Sequence, residues 1–186
     1  MRHLGHDADD LVRIVLTHWH HDHTGGAAAL ARITGAQVCA GRADAPVIRG
    51  HRPGAPPDLT PAEVPLMERI AGLVSPAPGC PVDRELTDGD VLDGGAASAV
   101  VVAVPGHTPG SIAVHLPGEK VVLTGDIAAR FDEQVTLGPF NTDREQAGKS
   151  LRRLAGLDVD AAGFGHGTPL THSAAQALAG WSDPLA

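Results

Sequence analysis

A chain of 186 residues with 42% hydrophobic content and a formal charge of −8 can build one sizeable core, and it shows no second compositional block, so a single domain over residues 1–186 is expected. There is no basic stripe for nucleic acid and no apolar run long enough to span a bilayer, which argues against both partners. The opening Met1-Arg2-His3-Leu4-Gly5-His6-Asp7 is polar and lacks the apolar h-region of a signal peptide, so the cytoplasm is the expected location.

In chain order, Arg2 to Gly5 reads as the end of a helix and Asp7 to Asp10 as a turn. Leu11-Val12-Arg13-Ile14-Val15-Leu16 is nearly continuous in apolar character, as in a strand buried on both faces. Directly after it, Thr17-His18-Trp19-His20-His21-Asp22-His23 crowds four imidazoles and a carboxylate together, a density that packing does not explain. In extended backbone His18 and His20 project to one side, while Asp22 and His23 belong to the bend that follows. Two pairs of ligands can thus face two metal ions. His21 is the odd member and is expected to point away. Imidazole and carboxylate without thiolate suit zinc, with iron or manganese as alternatives. The alanines of Ala27 to Arg32 then predict a helix.

Cys39 and Cys80 have no C-x-x-C spacing and are expected to be packed thiols. From residue 45 to 81 the chain is rich in proline, which resists regular ladders, and the segment reads as a lid or insertion. Within it, Thr60 and Glu63 form a capping box for a short helix over Pro61 to Ile70. Arg49, His51 and Arg52 read as solvated surface charge, with contact to an anionic substrate as the alternative. Leu66, Met67 and Ile70 are expected to fix the segment to the body.

A pair of metal ions needs more donors, and three candidates stand in turns that follow apolar runs. His107 lies in Pro105-Gly106-His107-Thr108-Pro109-Gly110, Asp126 in Leu123-Thr124-Gly125-Asp126, and His166 in Gly163-Phe164-Gly165-His166-Gly167. His115 falls on a strand, and His3, His6, His51 and His172 have no ligating spacing. Thr142-Asp143-Arg144-Glu145 is a capping box opening a helix whose apolar face is Ala147, Leu151 and Leu154. Phe131, Phe140 and Asn141 either border the pocket or pack in the core.

On these motifs the chain resembles the metallo-β-lactamase-fold hydrolases, the superfamily that includes glyoxalase II and the lactonases. The H-x-H-x-D-H signature stands as His18, His20, Asp22 and His23, and the later motifs match Gly106-His107-Thr108-Pro109-Gly110, Gly125-Asp126 and Gly165-His166-Gly167. The resemblance implies an α/β (α+β) fold, a four-layer αββα sandwich. It also implies one ion on His18, His20 and His107, a second on Asp22, His23 and His166, and Asp126 bridging both. Two zinc ions about 3.5–4 Å apart would share a water and lower its pKa to give hydroxide near neutrality. That hydroxide, oriented by the catalytic carboxylates Asp22 and Asp126, would attack a small ester, thioester or lactone.

The chain also departs from the family. The strands that normally precede the first motif are missing, so one sheet should have an exposed edge, through which a homodimer is an option. Asp126 in place of a cysteine argues against a true β-lactamase of the commonest zinc class. The chain ends at Ala186 without the glutathione-binding helical extension of glyoxalase II, and it holds no tyrosine, which the quorum-quenching lactonases use. The expected partner is therefore a small-molecule substrate of unassigned identity. Two other readings remain open: a mononuclear iron sulfur dioxygenase of the same fold, and a truncated, non-catalytic metal-binding fragment.

Overall fold

The computed structural model describes residue 5 and residues 7–93 and 97–186. The first sheet contains β1 (Arg13–Leu16), β2 (Gln37–Gly41) and β3 (Arg84–Leu86), all parallel, in the order β1-β2-β3. The second contains β4 (Val91–Leu92), β5 (Ala99–Ala103), β6 (Ile112–Leu116), β7 (Val121–Leu123) and β10 (Ala161–Gly163), in the order β10-β7-β6-β5-β4. A separate hairpin pairs β8 (Ala128–Phe131) with β9 (Gln134–Leu137).

Strand alternation sorts these residues into three apolar layers. On β2, Val38 and Ala40 face one way, onto a cluster that includes Leu16 and the helical residues Ala27, Ala45 and Ile48. Cys39 faces the other way, into a cluster with Leu86, Val101, Ile112 and Val114 that fills the space between the sheets. From the far face of the second sheet, Val102, Ala113 and Val122 pack on Ala147, Leu151, Leu154, Ala174 and Leu178. Those last residues belong to α5 (Arg144–Ala155) and α6 (Ala174–Ala179), whereas Ala27 and Ala45 open α2 (Ala27–Thr34) and α3 (Ala45–Ile48). The result is helix, sheet, sheet, helix, as the resemblance implied.

Several expectations need correction. β1 sits at the edge of its sheet, so only Leu16 is buried, Ile14 and Val15 are half-buried and Val12 is exposed. Its side chains do reach both apolar layers, because Ile14 packs with the helices and Val15 between the sheets. Asp7 to Asp10 forms one 3-10 turn over Ala8–Asp10, while the reading of Arg2 to Gly5 lies outside the described residues except for Gly5. The cap of α5 is Asp143, which accepts from the Gln146 N–H; Thr142 instead donates its hydroxyl to the Gly106 carbonyl. Phe131 is exposed on the hairpin, and Asn141 is a buried turn residue donating to the Gly138 carbonyl. Cys39 and Cys80 are both free and buried, as anticipated. Among the described residues, no helix is long and apolar enough to cross a membrane.

The proline-rich segment contains α3 and a second short helix, α4 (Val64–Ile70), and no strand. Thr60 and Glu63 do exchange reciprocal hydrogen bonds, but one turn ahead of α4, because Glu63 is drawn inward. The Glu63 carboxylate is fully buried, accepts from the Phe140 N–H at 2.8 Å, and pairs with Arg144 Nη1 at 2.9 Å. Arg144 also pairs with Asp183, and the Thr60 hydroxyl donates to the Leu185 carbonyl. This strut fastens the segment to α5 and to the turn beside His107. Replacing one oxygen of a buried carboxylate that serves two donors costs about 2 kcal/mol. Glu63→Gln is therefore expected to lower the unfolding free energy from a urea titration by that amount and to hasten proteolysis of residues 49–80; an unchanged free energy and digestion rate would contradict the strut.

Candidate metal centre

All seven predicted metal-binding side chains stand at strand ends or just beyond. β5, β7 and β10 run the same way, since β6 is antiparallel to both β5 and β7 while β7 and β10 are parallel. Their carboxyl ends therefore deliver His107, Asp126 and His166 to one side of the second sheet. The first sheet is tied to that side by the Ile112 N–H, which donates to the Thr17 carbonyl at 2.8 Å. Immediately beyond Thr17 the chain bends through His18 and His20 into α1 (His21–Thr24), a four-residue helix that carries Asp22 and His23.

The side chains converge in two groups. His18, His20, His107 and Asp126 place donor atoms within 4.8 Å of one another, and so do Asp22, His23 and His166. Asp126 Oδ2 lies between them. It is 3.7 Å from His18 Nε2 and 3.7 Å from His107 Nε2, and on the other side 3.2 Å from His23 Nε2 and 3.3 Å from His166 Nε2. His166 Nε2 also lies 3.2 Å from Asp22 Oδ2. His21 turns away, as expected, and accepts the Ala77 N–H at 3.1 Å. His115 lies on β6 and joins neither group.

The electrostatics of the two groups differ. Burial, with His107 beside it, holds His18 well below the ordinary imidazole value, and burial likewise lowers His107 and brings His20 to about 3. All three are held toward the neutral imidazole, and His107 Nε2 and His20 Nδ1 lie 3.0 Å apart, close enough that one donates to the other. In the other group, hydrogen bonds to Asp126 and Asp22 raise His166 to about 10. Burial opposes a charge on His23, but hydrogen bonds to the same two carboxylates prevail and raise it to about 9. Burial also opposes ionisation of Asp126, yet His166 and His23 hold its carboxyl well below the usual range, and they do the same for Asp22. The carboxylates of this group thus favour a positive charge on their imidazole partners. A metal entering the second group must displace the protons that carry it, whereas the first group is already deprotonated.

These residues fit divalent metal. His18 Nε2 and Asp126 Oδ1 are buried with no hydrogen-bond partner, although buried polar atoms are seldom left so. A donor set of imidazole and carboxylate suits zinc, and neither group contains a thiolate to select a softer ion. Gly165 is part of the fit, because a Cβ there would collide with the Asp126 carboxylate and the His23 ring. The cluster is closed at Asp126, 7% exposed, and open to solvent at Asp22 and His166, 36% and 47% exposed.

Asp44 belongs to this centre and was not singled out in the sequence. It is buried just beyond β2, and its carboxylate accepts from the Trp19 N–H at 3.1 Å, the Thr108 hydroxyl at 2.6 Å and the Gly110 N–H at 2.7 Å. One side chain therefore ties the turn of His18 and His20 to the turn of His107. Burial pushes its pKa up, and those three hydrogen bonds pull against that. Thr17 Oγ1 and His18 Nδ1 lie 3.1 Å apart, and the Thr142 N–H holds the His107 carbonyl.

Comparison with known proteins agrees with this geometry. Residues 1–166 match the family model of the metallo-beta-lactamase superfamily. The chain belongs to the metallo-beta-lactamase superfamily. It is 33% identical over 150 residues to a hydroxyacylglutathione hydrolase of Cereibacter sphaeroides, covering 79% of this chain and 44% of that protein. It is 30% identical over 178 residues to a probable metallo-hydrolase of Bacillus subtilis, covering 87% of this chain and 66% of that protein. A solved structure, a metallo-beta-lactamase family protein of Thermus thermophilus, superposes with a TM-score of 0.66 at 26% identity, covering 95% of this chain and 61% of that one. The chain thus spans less than half the length of the hydroxyacylglutathione hydrolase it matches.

Groups that orient metal ligands typically contribute about 10–100-fold to metal affinity. Asp44→Ala is accordingly expected to weaken zinc binding by that factor while the far-ultraviolet circular dichroism stays native. Wild-type affinity in a chelator competition would remove Asp44 from the centre.

Proposed function

We propose that the protein is a dinuclear metal-dependent hydrolase of a small ester, thioester or lactone. The observation that carries this reading is the position of Asp126 Oδ2 between two imidazole groups, within 3.7 Å of nitrogens on both sides. A mononuclear site would leave Asp22, His23 and His166 as an unexplained convergence, so the dinuclear reading is favoured over an iron dioxygenase. The support from Thr17, Asp44 and Thr142 favours a working centre over a non-catalytic fragment. The relative named hydroxyacylglutathione hydrolase supports an acyl compound as substrate.

His18, His20 and His107 would hold one ion, Asp22, His23 and His166 the other, and Asp126 both. Two divalent ions so placed would supply a shared water of lowered pKa and a Lewis acid for the substrate carbonyl. Asp126, buried and fixed by its neighbours, orients the attacking oxygen. Asp22, on the open side, would help Asp126 orient that oxygen from the second group. His18 and His107, shielded from solvent, keep bulk water from the closed face of the cluster.

The test is a panel of aryl esters, acyl thioesters and lactones assayed with the zinc-loaded chain and with His107→Ala and Asp126→Ala. Each substitution is expected to lower kcat/KM at least about a thousandfold, on the order of 4 kcal/mol of transition-state stabilisation. Hydrolysis that survives either substitution at wild-type efficiency would end the dinuclear mechanism.

A further inference from the structure

A second feature adjoins the metal centre. On the outer side of Trp19, a cavity of roughly 510 Å³ opens between the His21 turn and the proline-rich segment. Its apolar wall is Trp19 with Val47 and Ile48, and its ionisable lining is His21, His51 and Arg52. Among the described residues no carboxylate lines it, in a chain where acidic residues outnumber basic ones 22 to 14. That local reversal of charge favours an anion.

The polar groups are arranged for one. Arg52 is exposed, and its Nη2 donates to the Ala43 carbonyl at 3.1 Å, which steadies the guanidinium near the buried Asp44, whose carboxylate is already met by Trp19, Thr108 and Gly110, and leaves its other donors for a ligand. Because His21 Nδ1 accepts the Ala77 N–H, the neutral ring carries its proton on Nε2 and presents a donor there. Arg49 contributes nothing to the cavity. Its guanidinium is spent on Glu85 at 2.6 Å and on the Val82 carbonyl at 2.7 Å. Gly54 closes over the indole, where a Cβ would collide with the six-membered ring of Trp19, so the cavity keeps its shape only with glycine there. Across the indole, the His20 ring lies 4.4 Å away between centroids. A ligand against Trp19 is thus one ring removed from the metal centre.

We propose that this cavity binds the carboxylate of a small organic anion, held by Arg52 and His21 with His51 at the rim. The carboxylate has two sources with the same chemistry: the anionic end of the substrate itself, or a separate small acid. Assignment to the substrate rests on the hydrolase reading, whereas binding itself does not.

The chain has two tryptophans, and Trp181 packs on the opposite side against the second sheet's helices, so the two indole N–H resonances separate the cavity from the rest. The zinc-loaded, nitrogen-15-labelled full chain is titrated with glutarate, with Trp181→Phe assigning the resonances. The expected result is a saturable shift of the Trp19 indole with Trp181 unmoved, weakened about tenfold by Arg52→Ala, as for loss of one charge-assisted contact. An unmoved Trp19 would overturn the proposal. So would equal affinity in Arg52→Ala, since glutarate would then sit on the metals.

Kinetics with phenyl hydrogen glutarate against phenyl butyrate identify the source. If the substrate's own carboxylate occupies the cavity, Arg52→Ala lowers the preference for the anionic ester about tenfold, and glutarate inhibits competitively. Glutarate inhibition that is not competitive, yet depends on Arg52, assigns the cavity to a separate acid. If no ester, thioester or lactone of the panel is hydrolysed while glutarate binding still depends on Arg52, the hydrolase reading falls and the anion site stands. The reverse pattern rejects the anion site alone.

Discussion

An ionised carboxylate taken out of water costs several kcal/mol unless cations or donors surround it. Asp126 is such a group, and its Oδ2 is met by imidazole nitrogens from four different side chains. Those imidazoles arrive from three separate stretches of chain, so the position of a single oxygen requires that both sheets be correctly assembled. Burial lowers His18 and His107, and His20 beside them, toward the neutral form, while hydrogen bonds to Asp126 and Asp22 raise His23 and His166. Positive charge, from protons or from metal, offsets the buried carboxylate.

The layers serve that balance. Parallel β7 and β10 and the like-directed β5 set three candidate ligands on one rim, and the bond from Ile112 to Thr17 brings the histidine turn of the other sheet against it. Asp44 and Glu63 then act as buried polar ties, each joining segments far apart in sequence. Such ties cost desolvation when partly satisfied, but each here is met by at least three donors, which fixes one relative placement of the turns. The open face at Asp22 and His166 is where chemistry can meet solvent, and the basic cavity behind Trp19 lies along the same turn.

The candidate ligands were legible in the sequence because they are local events: a dense histidine run after an apolar strand, and three Pro/Gly turns, each holding one donor. The four-layer arrangement followed from the resemblance. The ties were not legible. Asp44 is one acid in a chain with many, and only the fold reveals that Trp19, Thr108 and Gly110 all point at it. Glu63 was visible as a capping residue, but its burial against Arg144 depends on a partner 81 residues away. The apolar run before the histidines misled for a related reason: composition cannot separate a central strand from an edge strand. Arg49, His51 and Arg52 formed one group by spacing, and the structure divides them between a structural ion pair and a cavity wall.

The central claim is that two metal ions share Asp126. The measurement that meets it most directly is elemental analysis of untagged protein purified without added metal, joined to anomalous diffraction at the metal edge. The account predicts close to two ions per folded chain, with one peak among His18, His20 and His107, the other among Asp22, His23 and His166, and Asp126 touching both. A single ion at saturation, with the second group still protonated, would contradict it.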